Sequence, residues 1–355
     1  MTTRRSTRRS SKRCCQADGP PNGKGTSYCK EEEIKSWAGI LAACVVCSIA
    51  IAPAHAEWPD HAIRWVVPFG PGGANDLIAR VAADVVSKRL GQPVIIENRP
   101  GAGAVVGTTA VAKSAGDGYT FLIGGAGVIT NSLLVKKLAY ADSELVPVGM
   151  IAVAPSIIVV HPSIPASNMA EFVAWAKAQG DKGVNWATAG TGSTPHFVAE
   201  MIKEATGISL SIVPFRSGND SVNAVLSNSV PATSEASIVV LPQIQAGLLK
   251  PIATTYEQRI STYPSLTTTS EQGFPTVRIG HWAGLFAPRD TPQLIIQRMN
   301  AELQLALKTA EARDRLTPIG IETAGGSVAN FVAFITSERQ RLGALAAVAK
   351  MGDEQ

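Results

Sequence analysis

The chain has no cysteine where a folded domain would use one. All five (Cys14, Cys15, Cys29, Cys44 and Cys47) fall within the first 56 of its 355 residues. The 299 residues that follow can form no disulfide, thiolate nucleophile or cysteine metal site. An excess of charge is missing too. Nine of the 32 basic and four of the 28 acidic side chains lie in the first 56 residues, which leaves 23 against 24, a net charge of −1. A balance this even gives no footprint for nucleic acid or an anionic membrane surface. The chain also lacks a Walker sequence, a Gly-x-Ser-x-Gly elbow, internal repeats and low-complexity tracts after residue 56. His161, His196 and His281 are scattered rather than held at metal-ligand spacing. Gly101-x-Gly103-x-x-x-Gly107 departs from a dinucleotide fingerprint. No catalytic residue, metal or cofactor is expected.

What is present begins with a leader. Residues 1–36 are polar and basic, 37–52 form an apolar run, and Pro53-Ala54-His55-Ala56 carries the small-residue spacing of a cleavage site. This pattern predicts a secretory signal peptide over 1–56, cut near Ala56. The apolar run is short for a membrane span. A lipoprotein cut before Cys44 is disfavoured, because too few apolar residues precede Leu41-Ala42-Ala43-Cys44. A mature chain of this length buries enough surface to fold without disulfides.

After the leader, strand-like and helix-like segments alternate, which predicts an α/β fold with mainly parallel sheets. Strands are expected at 63–67, 94–96, 119–123, 156–160, 184–187, 210–215 and 250–254. Helices are expected at 76–90, 107–114, 168–179, 195–205, 221–227, 291–307 and 327–349. Two glycine-rich junctions carry the functional signal. Phe69-Gly70-Pro71-Gly72-Gly73-Ala74-Asn75 and Ala189-Gly190-Thr191-Gly192-Ser193-Thr194-Pro195-His196 each follow a strand and open a helix. Glycine lets backbone approach a ligand, and a helix N-terminus offers unpaired N–H groups to an anion. One such junction in each half predicts an anionic ligand held between two lobes joined by crossing strands.

At these residues the chain resembles a family. Trp65-Val66-Val67-Pro68-Phe69-Gly70-Pro71-Gly72-Gly73, Glu97-Asn98-Arg99-Pro100-Gly101-Ala102-Gly103 and Asp117-Gly118-Tyr119-Thr120 are similar to signatures of the substrate-binding proteins of tripartite tricarboxylate transporters. So are Gly190-Thr191-Gly192-Ser193-x-Pro195-His196, Glu271-Gln272-Gly273 and Trp282-Ala283-Gly284-Leu285-Phe286-Ala287-Pro288. These are the Bordetella-uptake-gene type of periplasmic receptor. The resemblance implies a two-lobed periplasmic-binding-protein fold, with two mixed, mainly parallel sheets flanked by helices. It implies lobe 1 over 57–155 with 283–355, and lobe 2 over 156–282. It also implies capture of a small organic carboxylate for a membrane permease, by a protein expected to be a monomer. A sensor of the same fold that signals to a membrane kinase is the alternative. There are departures: in the second lobe Phe215-Arg216-Ser217-Gly218 and Ser227-Asn228-Ser229-Val230-Pro231 replace the family's usual residues, and in the first Leu133 replaces a common proline.

The resemblance implies a ligand site made of Phe69, Gly70, Gly72, Gly73 and Asn75 from the first junction, with Gly125, Ala126 and Gly127 from the next strand end. From the second lobe come Ala189, Gly190, Thr191, Gly192, Ser193, His196, Phe215, Arg216, Ser217 and Ser237. Phe69 is expected as an aromatic lid, and Arg216 as a bidentate partner for a carboxylate. Asp76 and Arg99 are expected to be structural. Glu235 either accepts from a ligand amine or hydroxyl, or points to solvent. Ser193 and His196 lack a third member, so no hydrolase is expected from them.

Overall fold

The computed structural model describes residues 58–351. The leader and its cleavage site lie outside the described residues. The first half opens with β1 (Ile63–Val67), α1 (Ala74–Leu90), β2 (Val94–Asn98), α2 (Val105–Ala112), β3 (Thr120–Gly124) and α3 (Ala126–Leu134). The long β4 (Leu145–Val160) follows, then α4 (Met169–Ala178), β5 (Val184–Thr188), α5 (Thr194–Thr206), β6 (Leu210–Pro214) and α6 (Gly218–Leu226). The chain continues with β7 (Ala232–Ala236), α7 (Ser237–Gln245), β8 (Lys250–Thr254) and β9 (Gly280–Pro288). It ends with α8 (Gln293–Leu307), α9 (Ala310–Leu316), β10 (Glu322–Thr323) and α10 (Val328–Val348).

Local chemistry accounts for the element ends. Helix α1 buries Ile78, Val81, Val85 and Val86, and stops at Gly91, which takes φ +68 and donates its N–H to the Ser87 carbonyl at 3.0 Å. Asn168 caps α4 by accepting from the Glu171 N–H at 2.9 Å. Ser327 and Asn330 cap α10 reciprocally.

Two mixed sheets share β4, and this is the two-lobed periplasmic-binding-protein architecture. From Leu145 to Pro155 the strand pairs with β9; from Ser156 to Val160 it pairs with β7 and β8. The parallel pairs are β1 with β2 and β3, and β5 with β6 and β7. Every antiparallel pair involves β4 or β9. The reason is geometric: helices return the chain for parallel pairing, whereas strands that run between lobes re-enter a sheet from the opposite side. Sequence reading found only the last five residues of β4. Pro147 and Pro155 interrupt the pattern, and the strand absorbs the disturbance near Pro147 through register shifts against β9. It also missed β7, β9, α3 and α7. The first two are fully or almost fully buried runs without a two-residue alternation, and α7 holds Pro242 inside its length.

Helix α10 docks on β9 through Phe331, which is 1% exposed and fills the space above Gly284, where any Cβ would come within 2.1 Å of its ring. Trp282 and Phe286 flank that ring at centroid distances of 6.1 and 5.2 Å. Phe331→Ala is expected to destabilise the fold by about 3–5 kcal/mol, read as a lower urea midpoint with an unchanged m-value; a loss below about 1 kcal/mol would mean that α10 docks by other contacts.

Candidate ligand site between the lobes

Parallel strands carry their loops to one edge, and ligands in open α/β sheets bind beyond the carboxyl ends of the strands. Here β1, β3, β5 and β7 end on a common crevice. Phe69, Gly73, Ala74 and Asn75 follow β1; Gly125, Ala126 and Gly127 follow β3. Ala189, Ser193, Thr194 and Pro195 follow β5, and Glu235 sits near the end of β7. With Gly218, His281 and Trp282 they enclose a pocket of about 30 Å³. The N-termini of α1, α3, α5 and α6 all reach it. The helices α1, α3 and α5 have no side-chain cap, so their first-turn N–H groups have no such partner.

The loops hold themselves in shape. Asp76 accepts from the Gly72 N–H at 2.9 Å, from Asn98 Nδ2 at 2.9 Å and from Arg80 at 2.8 and 3.0 Å, so its charge is used within lobe 1. Asn98 also donates to the Phe69 carbonyl at 3.1 Å. Asn75 donates to the Gly124 carbonyl at 3.3 Å and so joins the α1 and α3 loops. Ser193 stands at the N-cap of α5 but donates its hydroxyl to the Gly190 carbonyl at 2.6 Å, leaving the helix start open. Trp186 donates to the Pro195 carbonyl at 3.0 Å and pins that first turn on β5.

Several expected residues stand elsewhere. Gly70 and Gly72 are outside the inner pocket and meet the opposite lobe: the Gly70 N–H donates to the Arg216 carbonyl at 3.1 Å, and Gly72 faces Asn219. Gly190 packs against Gly103, and Gly192 against Thr130 and Leu134. A Cβ on Gly103 would fall 2.3 Å from the Thr191 carbonyl oxygen, so only glycine permits this approach. His196 accepts from the Gly192 N–H through Nδ1 at 3.2 Å, and burial pushes it down to about 4, so it braces the loop as a neutral ring. Ser217 accepts from the Asp220 N–H and caps α6. Ser237 lies beside Gly320, away from the pocket. The Arg216 side chain is exposed. It lines an outer groove of about 740 Å³, together with Phe215, Asp220, Asn223 and residues 101–104. Phe69 and Ala189 border both spaces.

Glu235 does not point to solvent. It is 1% exposed and accepts from Ser221 Oγ at 3.1 Å. No lysine or arginine lines the inner pocket. Burial pushes the Glu235 carboxyl up to about 8. His281 Nε2 stands 3.9 Å away, buried and without a hydrogen-bond partner, and burial pushes that ring down to about 3. Both groups are therefore neutral near pH 7. Sequence reading missed His281 and Trp282 as lining residues, while Thr194 and Pro195 fall within the junction it singled out. The match at Trp282-Ala283-Gly284 marked the segment without showing that β9 carries it to the crevice. Among the described residues no cluster could hold a metal ion, and no helix is long and apolar enough to cross a membrane.

Residues 78–351 match the family described as the tripartite tricarboxylate transporter family receptor. The chain is 32% identical over 294 residues to the protein BugT of Bordetella pertussis, covering 82% of this chain and 90% of that one. Its structure is similar to that of the periplasmic binding protein BugD, with a TM-score of 0.79 and 29% identity over 83% of this chain and 99% of the other. It is also similar to Rpa4515 of R. palustris with adipate, at a TM-score of 0.80 and 30% identity over 83% and 99% of the two chains.

These neutral groups give stability a defined pH dependence. Between 4.5 and about 8 the folded state keeps a proton on Glu235 that the unfolded chain gives up, so stability falls as pH rises through this window. His281 and His196 act oppositely below 6.5, where the unfolded chain takes protons that the folded rings refuse. Their combined balance puts maximum stability near pH 6.5. Glu235→Gln is expected to remove the decline between 6.5 and about 8 in thermal unfolding; an identical decline in both proteins would mean that Glu235 is ionised in the fold.

Proposed function

This chain belongs to the tripartite tricarboxylate transporter receptor family, and we propose that it captures a small organic carboxylate between its lobes and delivers it to the membrane subunits of such a transporter. Family members are periplasmic solute-binding receptors, and this chain is a receptor rather than an enzyme. The observation that carries the proposal is the meeting of three helix starts without side-chain caps on one pocket that no cation lines. Main-chain N–H groups and helix dipoles there suit an anion. A micromolar complex needs about 8 kcal/mol. Several charge-assisted hydrogen bonds at roughly 1.5–3 kcal/mol each can supply it after the cost of association.

We assign lobe 1 to 57–155 with 283–355 and lobe 2 to 156–282. The change of β4 partners after Pro155 supports that division. Export through the leader over 1–56 accords with a periplasmic receptor. Ligand contacts are assigned to Phe69, Gly73, Asn75, Gly125, Ala126, Gly127, Ala189 and Ser193. Arg216, in the outer groove, is left to meet a second ionised group on a longer ligand.

Thermal shift with malate, adipate, hexanoate, benzoate, nicotinate and glutamate tests the receptor reading on residues 57–355, refolded to strip bound solute. Saturable stabilisation by at least one acid, lost with its amide, is expected; stabilisation by none overturns it. Adipate should exceed hexanoate, and Arg216→Ala should erase that margin; no margin removes Arg216 from the site. Gly103→Ala should weaken the selected acid at least tenfold by obstructing lobe contact, and unchanged affinity would show that the ligand is held without it.

A further inference from the structure

A pocket framed by helix N-termini is built for an anion, yet its one acidic side chain is wholly enclosed within it. Glu235 leaves β7 between the two lobes. Four elements pack around it. From α6, Ser221 donates a hydrogen bond, and Gly218 presses so close that a Cβ there would fall 2.5 Å from the carboxyl. The start of α7 follows at once, at Ser237. From β9, His281 presents an unpartnered Nε2 at 3.9 Å. From α1, the uncharged Asn75 lines the same pocket. No lysine or arginine lines it to balance a second negative charge. Two carboxylates cannot both stay ionised in such a space, because like charges in contact favour protonation of one.

Resting on the carboxylate-receptor reading, we propose that Glu235 is a ligand-binding side chain that enters the complex as the neutral acid, donates its O–H to the ligand carboxylate, and so couples capture of the anion to retention or uptake of one proton. The proton comes from bulk solvent, and no covalent bond changes. Burial already holds the carboxyl near 8, and an adjacent anion pushes it further up. His281, held near 3 by burial, exchanges no proton in that range. Shape alone would admit an acid at any pH, whereas this arrangement admits it only with a proton.

Calorimetry with the acid selected from the panel tests this on the wild-type protein. Affinity should be flat from pH 5.5 to 7 and fall toward tenfold per pH unit above about 8. Titrations in Tris and in phosphate at pH 8.5 should report uptake of about 0.8 proton per ligand, with almost none at pH 6.5. Glu235→Gln, permanently uncharged, should lose the fall above pH 8 and take up no proton. Proton release, or affinity that rises with pH, would mean that Glu235 meets a cationic donor group and would overturn the proposal. An unchanged profile in Glu235→Gln would overturn it as well, and the wild-type proton count stands alone if that variant does not fold. Binding without proton exchange leaves the receptor reading intact and removes only this proposal; no binding by any acid removes both.

Discussion

Backbone N–H groups at the start of a helix must be satisfied by something, and here three helices leave theirs without a side-chain cap in an enclosed place. The rest of the architecture follows from that demand. Strand ends must converge to bring the helix starts together, so the sheets are parallel at their flanks. The crevice must have two sides, so β4 runs through both sheets. The loops must not spend their own polar groups on the helix starts, so Ser193 turns back to the Gly190 carbonyl and Asp76 is occupied by Gly72, Arg80 and Asn98. The three helix starts are thus left without a side-chain cap.

This design does without a fixed positive charge at its centre. Helix dipoles and amides are preorganised and need no counterion when the site is empty, whereas a buried lysine or arginine would carry a large desolvation cost of its own. It also explains why a carboxyl is tolerated there. Desolvation keeps it neutral.

The local chemistry was legible in the sequence and the long-range chemistry was not. Both glycine junctions, the strand before each and the helix after each were readable, because glycine, proline and apolar periodicity act over a few residues. The alternation of elements gave the α/β class for the same reason. What sequence could not show was which loop faces ligand and which faces the other lobe. Gly70 and Gly73 stand three residues apart in one motif, yet one donates to the Arg216 carbonyl while the other lines the pocket. His196 looked like a ligand donor by its place in a first turn, but its Nδ1 accepts from the Gly192 N–H and the ring does not line the pocket. Glu235 and His281 lie 46 residues apart in sequence. Only the meeting of β7 and β9 on the crossing strand brings them to 3.9 Å.

The inner pocket of about 30 Å³ has room for little more than a water molecule or two. A solute of several heavy atoms needs more room than this and must also draw on the outer groove, which shares Phe69 and Ala189 with the pocket. A solute held by both lobes escapes when the lobes separate and the contacts that span them break together. Any device that prises the lobes apart would therefore weaken all of those contacts at once and empty the site whatever it contains.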